Sequence, residues 1–269
     1  MTKNDSWREE AWEILLNKVW DNKSLNIESV EYTKSDLDEI LSKYTKSGQG
    51  EIRIFNYNSN KLNALTKRGI VKIPLTRSTW KIIKAPPIID FKRPTEGGIF
   101  TGIDDLTEGM IAGIKETMTL TSNPGETTLL AIANHIGIIA DFYGLKQKGT
   151  LFTGGRQKAG IHLFVGKKDI DMSKAQIEID GGFEWPDSVV IVEMKSSLVQ
   201  KDFDINQALL PMIKWKKLLK NKNVYSLVIL SETNKNGLEY WVYDFVQDTS
   251  ESPIGMKIAK SKRYLIEIK

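Results

Sequence analysis

The residues whose types and spacing best support chemistry are Glu193 and Lys195, at the end of the run SVVIVEMK over residues 188–195. The run is dominated by β-branched residues and reads as a strand. Strand side chains alternate between two faces, so Val189, Ile191, Glu193 and Lys195 share one side, and Val190, Val192 and Met194 take the other. Two opposite charges therefore end an otherwise apolar strand on the same face. Burying them costs free energy unless something pairs with them. Upstream, residues 176–180 place Gln176, Glu178 and Asp180 on one face and Ile177 and Ile179 on the other. A hairpin folded about Pro186–Asp187 brings Asp180 close to the position opposite Glu193.

An acid facing Glu-x-Lys across a hairpin suits a divalent metal. Mg²⁺ takes oxygen ligands and usually only one or two carboxylates. Asp180 and Glu193 would supply these, and the carbonyl of Met194 a third protein ligand. A metal so held can activate water and stabilise charge on phosphoryl oxygens, the two needs of phosphodiester hydrolysis. Lys195 can steady the attacking hydroxide or the phosphate charge. The plainer alternative is a surface salt bridge across a hairpin. Val189 and Ile191, with apolar strands on either side, argue for a central strand instead.

These residues need a scaffold, and 269 residues provide for about two domains. Cys is absent, which excludes disulfides, thiolate zinc sites and Cys nucleophiles and fits a reducing cytosol. No apolar signal core opens the chain, and the longest apolar run, over 129–140, is too short to span a bilayer. We therefore expect a cytoplasmic protein. The net charge of +4 means that a nucleic-acid partner would be met by local patches. Only two histidines are present, His135 and His162, both on apolar segments and expected to be packed and neutral. The seven tryptophans are expected in the core.

Ser6 with Glu9 reads as a capping box for a first helix ending near Trp20. Ser35 is expected to cap a second. A strand over 51–57, a short helix to Lys67, and strands over 70–74 and 79–84 follow. Helices followed by a basic hairpin resemble a winged-helix layout, with Arg68, Lys72, Arg77, Lys81 and Lys84 supplying positive charge; the alternative is a solvated hairpin. Pro86–Pro87 and the loop to Gly98 look like a linker, which divides the chain into 1–92 and 93–269. A helix is predicted over 105–119, and Pro124, at an early helical position, opens a longer apolar one through Ala140. Glu126 lies in its first turn, where it would also complement the helix dipole. Strands over 150–153, 160–166, 176–180 and 188–195, a helix over 204–220, and strands over 224–232, 238–246 and 263–268 complete an α/β domain with a mixed sheet.

Asp180 with Glu193-x-Lys195 resembles the PD-(D/E)XK nuclease signature. More specifically, IEID, VIVEMKSS, DFDINQALLPMIKW and the upstream Gly154-Gly155-Arg156 resemble a group of type II restriction endonucleases. The likeness runs from about Glu126 to Lys217 and is weaker over 48–92. It implies a PD-(D/E)XK mixed sheet flanked by helices, with Asp180 and Glu193 as Mg²⁺ ligands and Lys195 as the catalytic lysine. Glu126 resembles the helix carboxylate placed near the metal, and Gln207 the glutamine of the helix after the motif. The literal Pro186–Asp187 is a poorer match than Asp180. Asp187 would lie roughly 20 Å from Glu193 along a strand at ~3.3 Å per residue, and it reads as a turn residue. Glu178 is a secondary candidate.

The implied activity is Mg²⁺-dependent, sequence-specific cleavage of double-stranded DNA by a homodimer, with a companion DNA methyltransferase. Arg77, Lys81, Arg156 and Gln207 are candidate DNA contacts. The rival readings are a repair or modification-dependent nuclease of the same fold, and a catalytically idle DNA-binding regulator.

Overall fold

The structure, a computed structural model, describes residues 6–21, 29–44, 62–84, 92–100, 116, 124–165, 168–198, 204–234, 237–248 and 256–267. The strand expected over 51–57, the linker prolines and all but one residue of the helix expected over 105–119 lie outside the described residues.

The N-terminal part runs α1 (Ser6–Leu16), a π-helical turn (Asn17–Asp21), β1 (Ser29–Thr33), α2 (Lys34–Leu41), α3 (Asn63–Thr66), β2 (Ile70–Pro74) and β3 (Thr79–Lys84). The three strands form an antiparallel sheet in the order β1-β3-β2. One side of it packs on the helices, where Trp12, Leu15, Leu37, Leu65, Trp80 and Ile82 form a core. Two caps differ from expectation. Glu9 serves a second helix: its carboxylate accepts the N–H groups of Asn63 and Ala64 at 2.8 and 2.9 Å and so caps α3. The second helix is capped by Thr33 rather than Ser35, with Asp36 completing the box.

The hairpin β2–β3 is not a solvated appendage. Val71, Ile73, Leu75 and Ile83 join Ala208, Leu209, Met212 and Val228 in one core cluster, which seats the hairpin on the rest of the molecule. Several of the basic groups in and beside it are committed internally. Lys72 is buried, Arg68 makes a two-pronged pair with Glu13, and Lys81 pairs with Glu31 at 2.9 Å. Arg77 and Lys84 are exposed.

Beyond it, β4 (Gly97–Ile99), α4 (Glu126–His135), α5 (Ile138–Tyr143) and β5 (Thr150–Thr153) lead into two small ribbons. These pair β6 (Gln157–Lys158) with β9 (Gln176–Ile177), and β7 (His162–Val165) with β8 (Lys168–Asp171). Then come β10 (Gly181–Glu184), β11 (Ser188–Lys195), α6 (Asn206–Leu218), β12 (Asn223–Asn234), β13 (Gly237–Gln247) and β14 (Met256–Glu267). The large sheet is mixed and seven-stranded, in the order β4-β14-β13-β12-β11-β10-β5. β11 and β12 are parallel and joined by the crossover helix α6, as a parallel pair requires. All eight residues of β11 are buried. Val190, Val192 and Met194 face α4 and α5, while Val189 and Ile191 pack with Val224, Phe152 and Trp215 on the α6 side. The expectation of a mixed α/β sheet flanked by helices holds.

The expected helix through Ala140 is two helices. Gly137, at φ +84°, takes the left-handed conformation that glycine tolerates and turns α4 into α5. Pro124 precedes the first helix, whose N-cap is Gly125. The strand expected over 176–180 splits as well: only Gln176–Ile177 is strand, and the true partner of β11 is Gly181–Glu184. The hairpin turn is thereby tightened to Trp185–Ser188, closed by the Trp185 N–H donated to the Ser188 carbonyl at 2.9 Å. His135 and His162 are solvent-exposed rather than packed, and His162 bonds to Asp169 at 3.0 Å. None of the seven tryptophans is exposed. Among the described residues no helix is long and apolar enough to cross a membrane.

Gly154 lets the chain after β5 pass against the segment leading to Asp180. A Cβ there would stand 1.7 Å from the Ile179 carbonyl oxygen, whereas one at Gly155 would meet nothing within 4 Å. Gly154→Ala should therefore lower stability by about 1–3 kcal/mol, the usual range for overpacking. Gly155→Ala should stay within about 0.5 kcal/mol of wild type in urea denaturation.

Candidate active site at the end of the central strand

The side chains of Glu193 and Lys195 follow Val189 and Ile191 on the α6 side of β11, as strand alternation requires. Glu193 is 4% exposed and Lys195 9%. Their pairing is direct, with Lys195 Nζ 2.5 Å from Glu193 Oε1. Three further elements converge on the pair. The hairpin register sets Gly181 opposite Val192, so the preceding residue, Asp180, falls across from Glu193. Asp180 Oδ2 accepts the Met194 N–H at 2.7 Å. A strand residue sends its N–H and C=O to the same side, so the Met194 carbonyl also leaves toward Asp180.

Glu126, in the first turn of α4, brings a carboxylate oxygen to 3.5 Å from Lys195 Nζ and accepts the Ser196 backbone N–H. From the opposite layer Gln207, in the first turn of α6, donates its Nε2 to Glu193 Oε1. The five residues thus come from one strand, two helices and a strand-entry bend. Asp180, Glu193, Lys195, Glu126 and Gln207 are together, as the spacing and the resemblance anticipated.

Electrostatically the site is an excess of carboxylate around one ammonium. Burial pushes the Glu193 carboxyl up to about 8; the charges of Asp180 and Glu126 add to this, against the pull of Lys195. Burial likewise raises Glu126, with Asp180 adding to the effect and Lys195 opposing it. For Lys195 burial works against the charged form, but Glu193, Glu126 and Asp180 outweigh it and its pKa is raised. The lysine therefore stays cationic through the neutral range.

The remaining candidates are elsewhere. Arg156 and Glu178 form an exposed pair with each other at 3.1 Å, worth little in water. Asp187 is in the hairpin turn at the far end of β11, where its Oδ1 accepts the Ser188 hydroxyl at 3.0 Å. Lys81 is occupied by Glu31, and Arg77 sits exposed in the β2–β3 turn. Sequence reasoning passed over Asp204 and Asn206, which lie behind Gln207. The available signal was an Asp and an Asn two residues apart at a helix start, a pattern that favours side-chain bonds to nearby backbone. A groove between the N-terminal sheet and the β7–β8 ribbon, lined by Glu31, Lys81, Asp169, Asp171 and Lys174, contains neither Glu193 nor Lys195.

Among the described residues no group of three or more His, Cys, Asp or Glu side chains is placed to hold a metal. The oxygen donors at hand are two carboxylates across a hairpin and a backbone carbonyl, a set that suits Mg²⁺ better than a metal needing a closed cage.

In the folded chain Glu193 titrates well above the 4.5 of an unperturbed carboxyl. Its protonated form is thus the one folding favours. Its contribution is fully present below the unfolded value and is lost as pH rises toward about 8. In chelator-containing buffer, Glu193→Gln should flatten the fall in urea-denaturation stability between pH 5 and 8, a difference on the order of a few kcal/mol. An unchanged pH slope in the variant would contradict this assignment.

The sequence pattern of a domain of unknown function (DUF6997) matches residues 106–265. Neither the curated proteins nor the solved structures contain a match.

Proposed function

The chain belongs to the DUF6997 family, a domain of unknown function, and we propose that it is a Mg²⁺-dependent, sequence-specific endonuclease of double-stranded DNA, of type II restriction character. The observation that carries this reading is the meeting of Asp180, Glu193, Lys195 and Glu126 at the end of one enclosed strand. A salt bridge serving stability alone would need one acid per lysine; here two carboxylates contact one ammonium and the charge of a third, Asp180, acts on it as well. The connectivity supports a PD-(D/E)XK core: helix, three antiparallel strands β5, β10 and β11, a crossover helix, and a parallel strand. The helices and three-stranded sheet of residues 6–84 support a winged-helix-like N-terminal domain.

Asp180 and Glu193 would hold the ion, with the Met194 carbonyl beside them. When bound, Mg²⁺ polarises the scissile phosphate and lowers the pKa of water. Lys195, cationic and only 9% exposed, is placed to stabilise the charge that grows on the phosphoryl oxygens as water adds to phosphorus and the bond to one sugar oxygen breaks. Glu126 holds the lysine from the far side, and Gln207 fixes one oxygen of Glu193. Arg77 and Lys84 on the hairpin and Arg156 beyond β5 are exposed cations suited to phosphate contact, which positions a duplex without reading its sequence. Cutting both strands of a palindrome calls for a two-fold pair of subunits. A cytoplasmic enzyme of this kind needs a partner methyltransferase to protect the host's own DNA.

Incubating the purified chain with several DNAs, methylated ones included, should give discrete fragments with Mg²⁺ and none with chelator. Glu193→Ala and Lys195→Ala should each slow cleavage by at least about 100-fold while DNA affinity persists. Ragged ends would favour a repair nuclease. Salt-dependent binding with no cleavage under Mg²⁺ or Mn²⁺ would favour a regulator and overturn the proposal.

A further inference from the structure

The support of Glu193 continues beyond its own sheet. Gln207, which donates its Nε2 to Glu193 Oε1, is held at its other end: its Oε1 accepts the backbone N–H of Asp204 at 3.0 Å. An amide gripped at both ends has one orientation, because its oxygen can only accept and its nitrogen only donate. Asp204 is held in turn by Asn206. Its Oδ1 accepts the Asn206 backbone N–H at 3.0 Å and the Asn206 Nδ2 at 2.8 Å. The same Nδ2 donates to the carbonyl of Lys72 at 3.0 Å. Lys72 belongs to β2, in the N-terminal sheet. Asn206 is 8% exposed, so these bonds form out of water, where losing a partner is costly.

We infer that Asn206 is a positioning residue that ties the seating of the N-terminal sheet on α6 to the orientation of Gln207, and through it to Glu193. When the sheet is seated, Asn206 spans Lys72 and Asp204, the Asp204 N–H is aimed at Gln207, and the glutamine presents its nitrogen to the carboxylate. When it is not, Asp204 loses its brace, and the amide can turn its oxygen toward Glu193, where it repels. The N-terminal unit is thus wired to the reacting centre by three side chains, not only by apolar packing. The functional meaning rests on the nuclease reading; the linkage itself does not.

Two readouts on the full chain test it. In wild type the Gln207 side-chain amide protons should exchange with solvent slowly in NMR. Asn206→Ala should speed that exchange by about 10-fold or more, and Asn206→Ser, which keeps one hydroxyl donor, by less. In cleavage assays Asn206→Ala should lower kcat by about 10- to 100-fold with KM for the duplex little changed, as for misplaced catalytic geometry. Ser226→Ala serves as the control. It removes a buried bond to the same helix, from Ser226 Oγ to the Ala208 carbonyl at 3.2 Å, without touching the chain of contacts, and should alter neither readout. If Asn206→Ala does not fold, the serine variant decides. Unchanged Gln207 exchange in a folded Asn206 variant, or an equal change in Ser226→Ala, would overturn the inference. Absence of cleavage by wild type would sink the nuclease reading alone, because the exchange result still judges the linkage.

Discussion

A carboxylate and an ammonium are held together where a strand enclosed on both faces comes to an end. That constraint governs the rest of the molecule. Glu193 is nearly sealed from solvent, and its charged form is disfavoured there. Without Lys195 the buried Glu193 carboxyl would lose the charge that favours its ionised form and would take up a proton instead. The fold accepts this arrangement because the strand is central: β10 and β12 flank it, α4 and α5 cover one face, and α6 covers the other. Charges at the middle of such a strand would have no partner to reach. At its end they meet the N-termini of α4 and α6, each of which delivers one polar side chain.

The geometry of the acid opposite depends on backbone detail. Asp180 does not extend a long strand; it sits in a bend just before β10, with the Met194 N–H locked onto its carboxylate. Gly154 allows the chain after β5 to pass close to Ile179, and the tight turn at Trp185–Ser188 fixes the register. A slip of one residue in that turn would carry Asp180 off Glu193 and reverse the faces of the whole strand.

Much of this was legible in the sequence. Period-two alternation correctly separated Val189, Ile191, Glu193 and Lys195 from Val190, Val192 and Met194, and the spacing to Asp180 placed an acid across the hairpin. What could not be read was set by tertiary contact. Gly181–Glu184 looks like turn because two glycines open it, yet it pairs with strands on both sides. Gly137 breaks a run whose apolar pattern is continuous. Glu9 has the spacing of a local cap but serves a helix 54 residues away along the chain. The histidines sit among apolar neighbours in sequence, but their own side chains emerge on the wet face. Asn206 gave a local helix-start signal, and its bond to Lys72 is invisible without the fold.

The burial of one face of the β2–β3 hairpin carries a further consequence. Val71, Ile73, Leu75 and Ile83 are part of the same core as α6 and β12. Among the described residues the N-terminal unit is therefore joined to α6 and β12 by shared core and is not an interchangeable module. On the proposed nuclease reading, new specificity would arise by remodelling the exposed turn around Arg77 in place, leaving the inward side of the hairpin as it is. Lineages sharing this architecture should diversify at the tips and remain uniform at the joint.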